Sequence, residues 1–478
     1  MREYEVFAAL DKYSYRSSIE KKHEIRNEFD RDRDRILYSK AFRRLSGKTQ
    51  VFVVGNDDHI RTRLTHTLEV AQIAKTVSKY LGLDETLTEA IALSHDIGHT
   101  PFGHVGERTL NYIMNGCLLI KSFNEDILNG EKGFKHNWQG LRVVSGLEQI
   151  TKKYYGLNLT NYTLWGILNH SGKSYKACKR KSDNNTCKLL LNNKLCKYGN
   201  DGLKVDFYNR YEKLFDDNSW TIEALIVAQA DEIAQRHHDI EDGIEAKIIN
   251  IDELLNKFQE CFGEYLEDSD KELLESIENE KEKIYYLPAL SKLIVNFLTY
   301  RLIIDTSSNL SNLKKKYCIN SERDFYERKK VIMAEEYLGN IVAYDNKFKD
   351  KEKKFQEYLY TRILNSYKAQ SMDGKADYII RKLFNAYITN PQQLPDKTII
   401  TLYRNLLAED DFNIYTEGHS IEQSTGMLRD KLEKDHFNTS EEHYRKTLLR
   451  TICDYISGMT DNYAMQEYSK LYGSKRIL

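Results

Sequence analysis

The chain has 478 residues, with 71 Lys and Arg against 72 Asp and Glu for a net charge of -1; 41% of it is hydrophobic and 30% charged. That balance suits a soluble globular protein and gives no global pull toward nucleic acid or an acidic membrane, leaving only a local basic pocket open. The start, Met1-Arg2-Glu3-Tyr4-Glu5, has no apolar signal core and no run of eighteen apolar residues occurs, so a cytoplasmic protein is expected.

Seven scattered cysteines, among them Cys178, Cys187 and Cys196 at nine-residue spacing with no C-x-x-C pair, read as thiols in a reducing compartment. The length allows two or three average domains or one large helical body. Residues 11 to 35 are polar and mixed in sign, ending in Arg31-Asp32-Arg33-Asp34-Arg35, which reads as a solvated helix or loop. Ile36 to Leu45 predicts a short amphipathic helix. The following Ser46-Gly47-Lys48-Thr49-Gln50 lacks the opening glycine and preceding strand of a phosphate-binding P-loop. From His66, the residues Val70, Ile73, Val77 and Leu81 recur at helical spacing, with Gly82 as the stop. Arg63 lies one turn before His66, where its fork shares that face and suits phosphate oxygens. Asp84 caps the next helix, which carries Leu87, Ile91 and Ser94/His95 along one face.

That helix delivers the densest chemistry in the chain: His95, Asp96, His99, His104 and Glu107 fall within thirteen residues, out of thirteen histidines overall. Gly98, Pro101 and Gly103 break the periodicity and place a turn beside His95 and Asp96. Imidazole and carboxylate suit zinc, manganese or iron, but two ligands do not hold a catalytic ion. His66 is one further candidate. Asp231 is the other, because it interrupts the buried pattern of Ile222, Leu225, Ile226, Ala230 and Ile233, where an unpaired carboxylate is costly. His104 and Glu107 are spaced i,i+3, so the carboxylate is expected to orient the imidazole as an acid; His99 reads as an outer ligand or a turn residue. Residues 173–218, rich in Lys and Asn, read as an insertion or hairpin. Beyond about residue 250 the chain predicts helices with few motifs.

The order His66, His95-Asp96, Asp231 resembles the HD superfamily of metal-dependent phosphohydrolases. The words Thr62-Arg63-Leu64-Thr65-His66, His95 to His104, and Asp454 to Asp461 look like the bacterial deoxyguanosine triphosphate triphosphohydrolases. The resemblance implies an all-α fold: an N-terminal segment 1–54 that contributes to the nucleotide pocket, an HD core at 55–245 and a helical C-terminal region at 246–478. It implies hydrolysis of dGTP, and of other deoxynucleoside triphosphates, to deoxynucleoside and triphosphate. A divalent ion (Mn, Mg, Fe or Zn) would sit on His66, His95, Asp96 and Asp231, with Arg63 on phosphate. His104 would be the proton donor. His136 is implied at the phosphates or the transferred proton, Gln50 near the sugar, His170 at the pocket and Asp239 on the 3'-hydroxyl. Gln235 stands where the family usually has a tyrosine that restricts the ribose side, and Asn462 where it usually has arginine. The resemblance further implies a homo-oligomer, tetramer or hexamer with a dimer as alternative, and nucleotide activation at an interface. Other readings are an HD phosphodiesterase, a nucleotide 5'-phosphatase, or a catalytically silent nucleotide or nucleic-acid sensor.

Overall fold

The computed structural model describes residues 4–49, 61–118, 128, 130–151, 153–175, 178, 187, 202–279, 286–364, 366–438 and 442–473. Within them lie nineteen α-helices. The first eight are α1 (Glu28–Leu37), α2 (Lys40–Arg44), α3 (Arg63–Leu81), α4 (Glu85–Ser94), α5 (Gly103–Met114), α6 (His136–Arg142), α7 (Asn161–Asn169) and α8 (Ile222–Glu245). Then follow α9 (Ile251–Phe262), α10 (Asp268–Asn279), α11 (Tyr286–Lys316), α12 (Glu322–Glu335), α13 (Asn346–Leu364) and α14 (Tyr367–Thr389). The last five are α15 (Asp396–Leu406), α16 (Glu409–Thr416), α17 (Ile421–Asn438), α18 (Glu442–Ser457) and α19 (Asp461–Tyr472). Among the described residues only isolated β-bridges occur, such as Thr49 with Thr62, so the fold is all-α as expected.

Local chemistry sets the helices that carry the site. The Thr62 hydroxyl accepts from the Thr65 N–H to start α3, and Gly82 ends it in the left-handed conformation at φ 77°, where a glycine escapes the Cβ clash. Asp84 accepts from the Leu87 N–H at 2.7 Å to start α4. Val70, Ala74, Val77 and Leu81 of α3, Leu87 and Ile91 of α4, and Ile226, Ala230 and Ile233 of α8 share one apolar core, so these three helices pack together. Each fully buried Leu or Ile on that seam stabilises it by roughly 1.5–3 kcal/mol. The same core runs on through α9, α11, α12 and α13 to Ile363. A second core joins Leu110, Ile113 and Met114 of α5 to α14, α15, α17, α18 and α19. The C-terminal helices therefore rest directly on the helix that follows the His-Asp word.

Two expectations near the N-terminus are corrected. The charged run before residue 36 is not a solvated surface: Asp32 is fully buried, accepting from the Thr160 N–H and from the Thr160 and Thr163 hydroxyls, and it pairs with Arg16. The helix expected over 36–45 is two helices, because the Ser39 side chain caps Phe42 and restarts the chain direction. Gln50 and most of the Lys/Asn-rich segment lie outside the described residues. No helix among the described residues is long and apolar enough to cross a membrane.

Candidate metal centre and active site

Three helices and one turn converge on the cluster. α3 brings His66 and Arg63 in its first turn, α8 brings Asp231, and α4 stops at Ser94 so that His95 and Asp96 enter the turn leading to α5. Ligand atoms of His66, His95 and Asp231 lie within 4.8 Å of one another. His66 Nε2 is 3.0 Å and His95 Nε2 3.7 Å from Asp231 Oδ1. His95 Nδ1 lies 2.6 Å from the Ala92 carbonyl, which fixes its proton on that side and turns the Nε2 lone pair inward. That Nε2 is buried and has no hydrogen-bond partner among the described residues. An orphaned imidazole nitrogen facing a carboxylate and a second imidazole fits a divalent cation, since burying it otherwise costs about 1–3 kcal/mol.

Asp96 faces the same space from the other side. Its Oδ1 is 3.4 Å from His95 Nε2 and 3.1 Å from His99 Nε2, while its Oδ2 accepts from Arg63 Nη1 at 2.6 Å and lies 3.9 Å from His66 Nε2. Burial works to raise the Asp96 pKa, but His99, His95 and Arg63 outweigh it and hold the carboxylate well below its usual range. Asp231 is depressed likewise: burial raises it, and the His66 hydrogen bond and the charge of His95 more than offset that. Arg63 is 1% exposed, and its Nε and Nη2 have no hydrogen-bond partner among the described residues. Two free guanidinium donors beside the metal cluster make a seat for an anion.

The acid group differs from the arrangement that i,i+3 spacing suggests. Glu107 Oε2 is 2.6 Å from His136 Nδ1, and its Oε1 accepts from the Tyr175 hydroxyl at 2.6 Å with Lys135 at 3.6 Å. Glu107 therefore holds His136, not His104. The reason is direction: α6 enters with His136 at its first position, opposite α5, whereas the His104 ring is turned to solvent and lies 5.5 Å from that of His99 and 6.3 Å from that of His136. His170, at the end of α7, puts its Nε2 3.2 Å from that of His136. Gln235 and Asp239 follow Asp231 by one and two turns of α8, and the Gln235 side-chain amide donates to Asp239 Oδ1 at 2.7 Å. Burial pushes the Asp239 pKa up to about 6, with the Gln235 bond opposing.

Sequence reasoning missed how the last motif enters. Asp461, 0% exposed at the start of α19, accepts from the Phe102 N–H at 2.9 Å, the Thr49 N–H at 3.1 Å and the Thr49 hydroxyl at 2.5 Å. Phe102 sits at φ 61°, a left-handed conformation that costs a non-glycine residue about 1–2 kcal/mol and that this bond helps to hold. The Lys48 ammonium donates to the carbonyls of His99 and Ser457, and burial, then Arg44 and Arg63, lower its pKa to about 7. The signal was present in the words containing Lys48-Thr49 and Asp461, but their partnership spans four hundred residues. Tyr175 had no signal at all, being a tyrosine at the edge of a polar segment.

The comparisons with known proteins agree with this geometry. A family model described as HD domain matches residues 63–236, and one described as phosphohydrolase-associated domain matches 342–405 and 419–470. Curated relatives named deoxyguanosinetriphosphate triphosphohydrolase-like protein include one from Bartonella tribocorum, 31% identical over 95% of this chain and 91% of its own length. Others come from Rickettsia felis, 33% identical over 93% and 92%, and Geobacter metallireducens, 32% identical over 93% and 88%. The chain belongs to the deoxyguanosinetriphosphate triphosphohydrolase-like family of HD-domain proteins. As a member it is a metal-dependent phosphohydrolase with a nucleotide substrate, and its His and Asp clusters are set to coordinate a divalent cation.

Proposed function

We propose that this protein hydrolyses dGTP, and other deoxynucleoside triphosphates, to the deoxynucleoside and inorganic triphosphate. The observation that carries the reading is the buried Arg63, two of its nitrogens without a hydrogen-bond partner among the described residues, beside the His66, His95 and Asp231 cluster. Those residues with Asp96 would hold a divalent ion, which would supply Lewis acidity toward a phosphoryl oxygen and toward water. Arg63 binds the phosphate oxygens and offsets the charge that grows on them. The leaving alkoxide is strongly basic, so a proton donor is needed, and His104, its ring exposed and 5.5 Å from that of His99, takes that role. A polyanion bound beside its ring favours the protonated form. Glu107 and His136 act as a hydrogen-bonded pair near His104. Asp239, braced by Gln235, accepts the sugar 3'-hydroxyl, a contact to which the family resemblance adds Gln50.

Product analysis over the four deoxynucleotides and GTP tests this, with manganese or magnesium and mixed nucleotides as activators. Triphosphate release supports it; monophosphate or orthophosphate assigns a phosphodiesterase or 5'-phosphatase, and no turnover a sensor. Arg63→Ala is expected to lower kcat/KM by at least 100-fold, as loss of a bidentate charged contact of about 3 kcal/mol predicts. We also propose a homo-oligomer, tetramer or hexamer with a dimer as the alternative, that binds activating nucleotide at an interface. Light scattering with and without deoxynucleotides checks it, and a fully active monomer rejects it.

A further inference from the structure

The polar segment that follows α7 reaches back to the Glu107–His136 pair. Its backbone is seated on the first turn of α6. The Asn137 side-chain amide donates to the Leu168 carbonyl at 2.7 Å and to the Ser171 carbonyl at 3.3 Å, and the Trp138 indole donates to the Lys173 carbonyl at 3.0 Å. Asn137 and Trp138 are buried and directly follow His136, so residues 171–173 are tied to the turn that presents the imidazole. Gly172, Lys173 and Ser174 are exposed, and the half-buried Tyr175 then turns its hydroxyl inward.

That hydroxyl donates to Glu107 Oε1 at 2.6 Å, the length of a charge-assisted bond, and lies 3.1 Å from the Phe134 carbonyl. Burial and then the charge of Glu107 hold the phenol well above its ordinary pKa, so it remains a donor. The Lys135 ammonium lies 3.6 Å from the same carboxylate oxygen and 4.9 Å from the centre of the Tyr175 ring, so it attends both groups. The other oxygen, Oε2, faces His136 Nδ1 at 2.6 Å and keeps a proton on that nitrogen. The last torsion of a glutamate is broad and soft, and a donor on each oxygen pins it. Tyr175 on one oxygen thereby sets the plane in which the other meets His136.

We propose that Tyr175 is a positioning residue for turnover: its hydroxyl sets the Glu107 carboxylate that orients His136, and residues 171–175 are thereby a working part of the active site. This rests on the reading that Glu107 and His136 act in turnover. Packing does not call for the hydroxyl, because the Tyr175 ring sits against the small cluster of Tyr112 and Leu203, which a phenylalanine would fill equally well. Nor does the path of the backbone, which Asn137 and Trp138 hold on their own.

The test is Tyr175→Phe in the full chain, with nucleotide consumption followed whatever the product. With Mn(II) present, kcat is expected to fall about 10–100-fold, the range for partners that aim a functional imidazole, while KM and Mn(II) affinity stay as in the wild type. In a Glu107→Ala background the same change should alter the rate by less than about twofold, since the phenol no longer has a carboxylate to set. Single-turnover assays at excess enzyme keep that slow pair measurable. A wild-type kcat in Tyr175→Phe overturns the role. So does an equal loss with and without Glu107, or a loss carried by KM or by Mn(II) binding. Coupled loss with monophosphate or orthophosphate as the product upholds Tyr175 and rejects the proposed reaction; triphosphate release at wild-type kcat in the variant does the reverse. A wild type that turns over no nucleotide rejects both.

Discussion

Replacing Asp461 by Ala tests whether the C-terminal helices build the catalytic turn or merely cover it. The carboxylate accepts three hydrogen bonds, and its removal strands the buried N–H groups of Phe102 and Thr49 and the Thr49 hydroxyl. An unsatisfied buried donor costs about 1–3 kcal/mol, and the hydroxyl can turn to another acceptor, so the two amides set a loss of about 2–6 kcal/mol. Relief from burying the carboxylate offsets part of this, since that burial, the largest influence on Asp461, raises its pKa. A net loss of about 3 kcal/mol is expected. The damage should be local first, because Phe102 is held in the left-handed region and relaxes once released. Urea unfolding measures the global part. Hydrogen exchange of the 95–106 peptide measures the local part, with at least tenfold faster exchange expected at Phe102. Turnover should fall even in protein that remains folded. Asp461→Asn keeps one acceptor and should recover part of each loss. An Asp461→Ala protein with an unchanged midpoint and unchanged exchange at Phe102 would refute the clamp.

Gly98→Ala is expected to be among the most damaging single changes: a Cβ there would lie 2.0 Å from the His136 carbonyl and 2.2 Å from the Gly140 N–H, so α6 must retreat by more than about 1 Å, at about 3 kcal/mol or more. Thermal unfolding and Mn(II) binding check it, and normal values for both would refute the close contact. For His237, burial lowers the pKa but hydrogen bonds to Glu241 and Glu69 outweigh it and raise it to about 9. A raised folded-state pKa gives stability that is fully present below about pH 6.5 and lost as pH rises through 9. His237→Gln should therefore lose about 2 kcal/mol, part of the shift being screened, at pH 6 and much less at pH 9.5. Parallel stability curves for the two proteins would count against that role.

Much of the site was legible because its residues act through short-range spacing. His95 and Asp96 are adjacent, Arg63 and His66 share a helical turn, and Asp231 betrayed itself as an acid in an apolar stripe. Helix limits at Gly82 and Asp84 were legible for the same reason, as each cap is a bond within three residues. The Glu107–His136 pair was not, because an i,i+3 interval says which groups share a face and not which neighbour arrives opposite. Nor was the burial of Asp32: its partners Arg16 and Thr160 lie 16 and 128 residues away, and an alternating charge run looks the same whether its face meets water or protein. The break between α9 and α10 also escaped the sequence pattern, since it needs only a short 3-10 turn at Gly263–Tyr265.

The enclosed charges around α1 bear on how the protein responds to ionic strength. Arg16 with Glu28 and Asp32, and Arg31 and Arg35 with Glu20, have side chains no more than 16% exposed, and Arg35 also donates to the carbonyls of Leu157 and Asn158. Mobile ions screen charges they can surround, over about 8 Å at physiological concentration, and these are walled off by the chain itself. A chain so rich in acidic and basic residues looks like one that concentrated electrolyte would loosen, yet the latch between its N-terminal segment and the loop before α7 should hold in strong brine and open in acid.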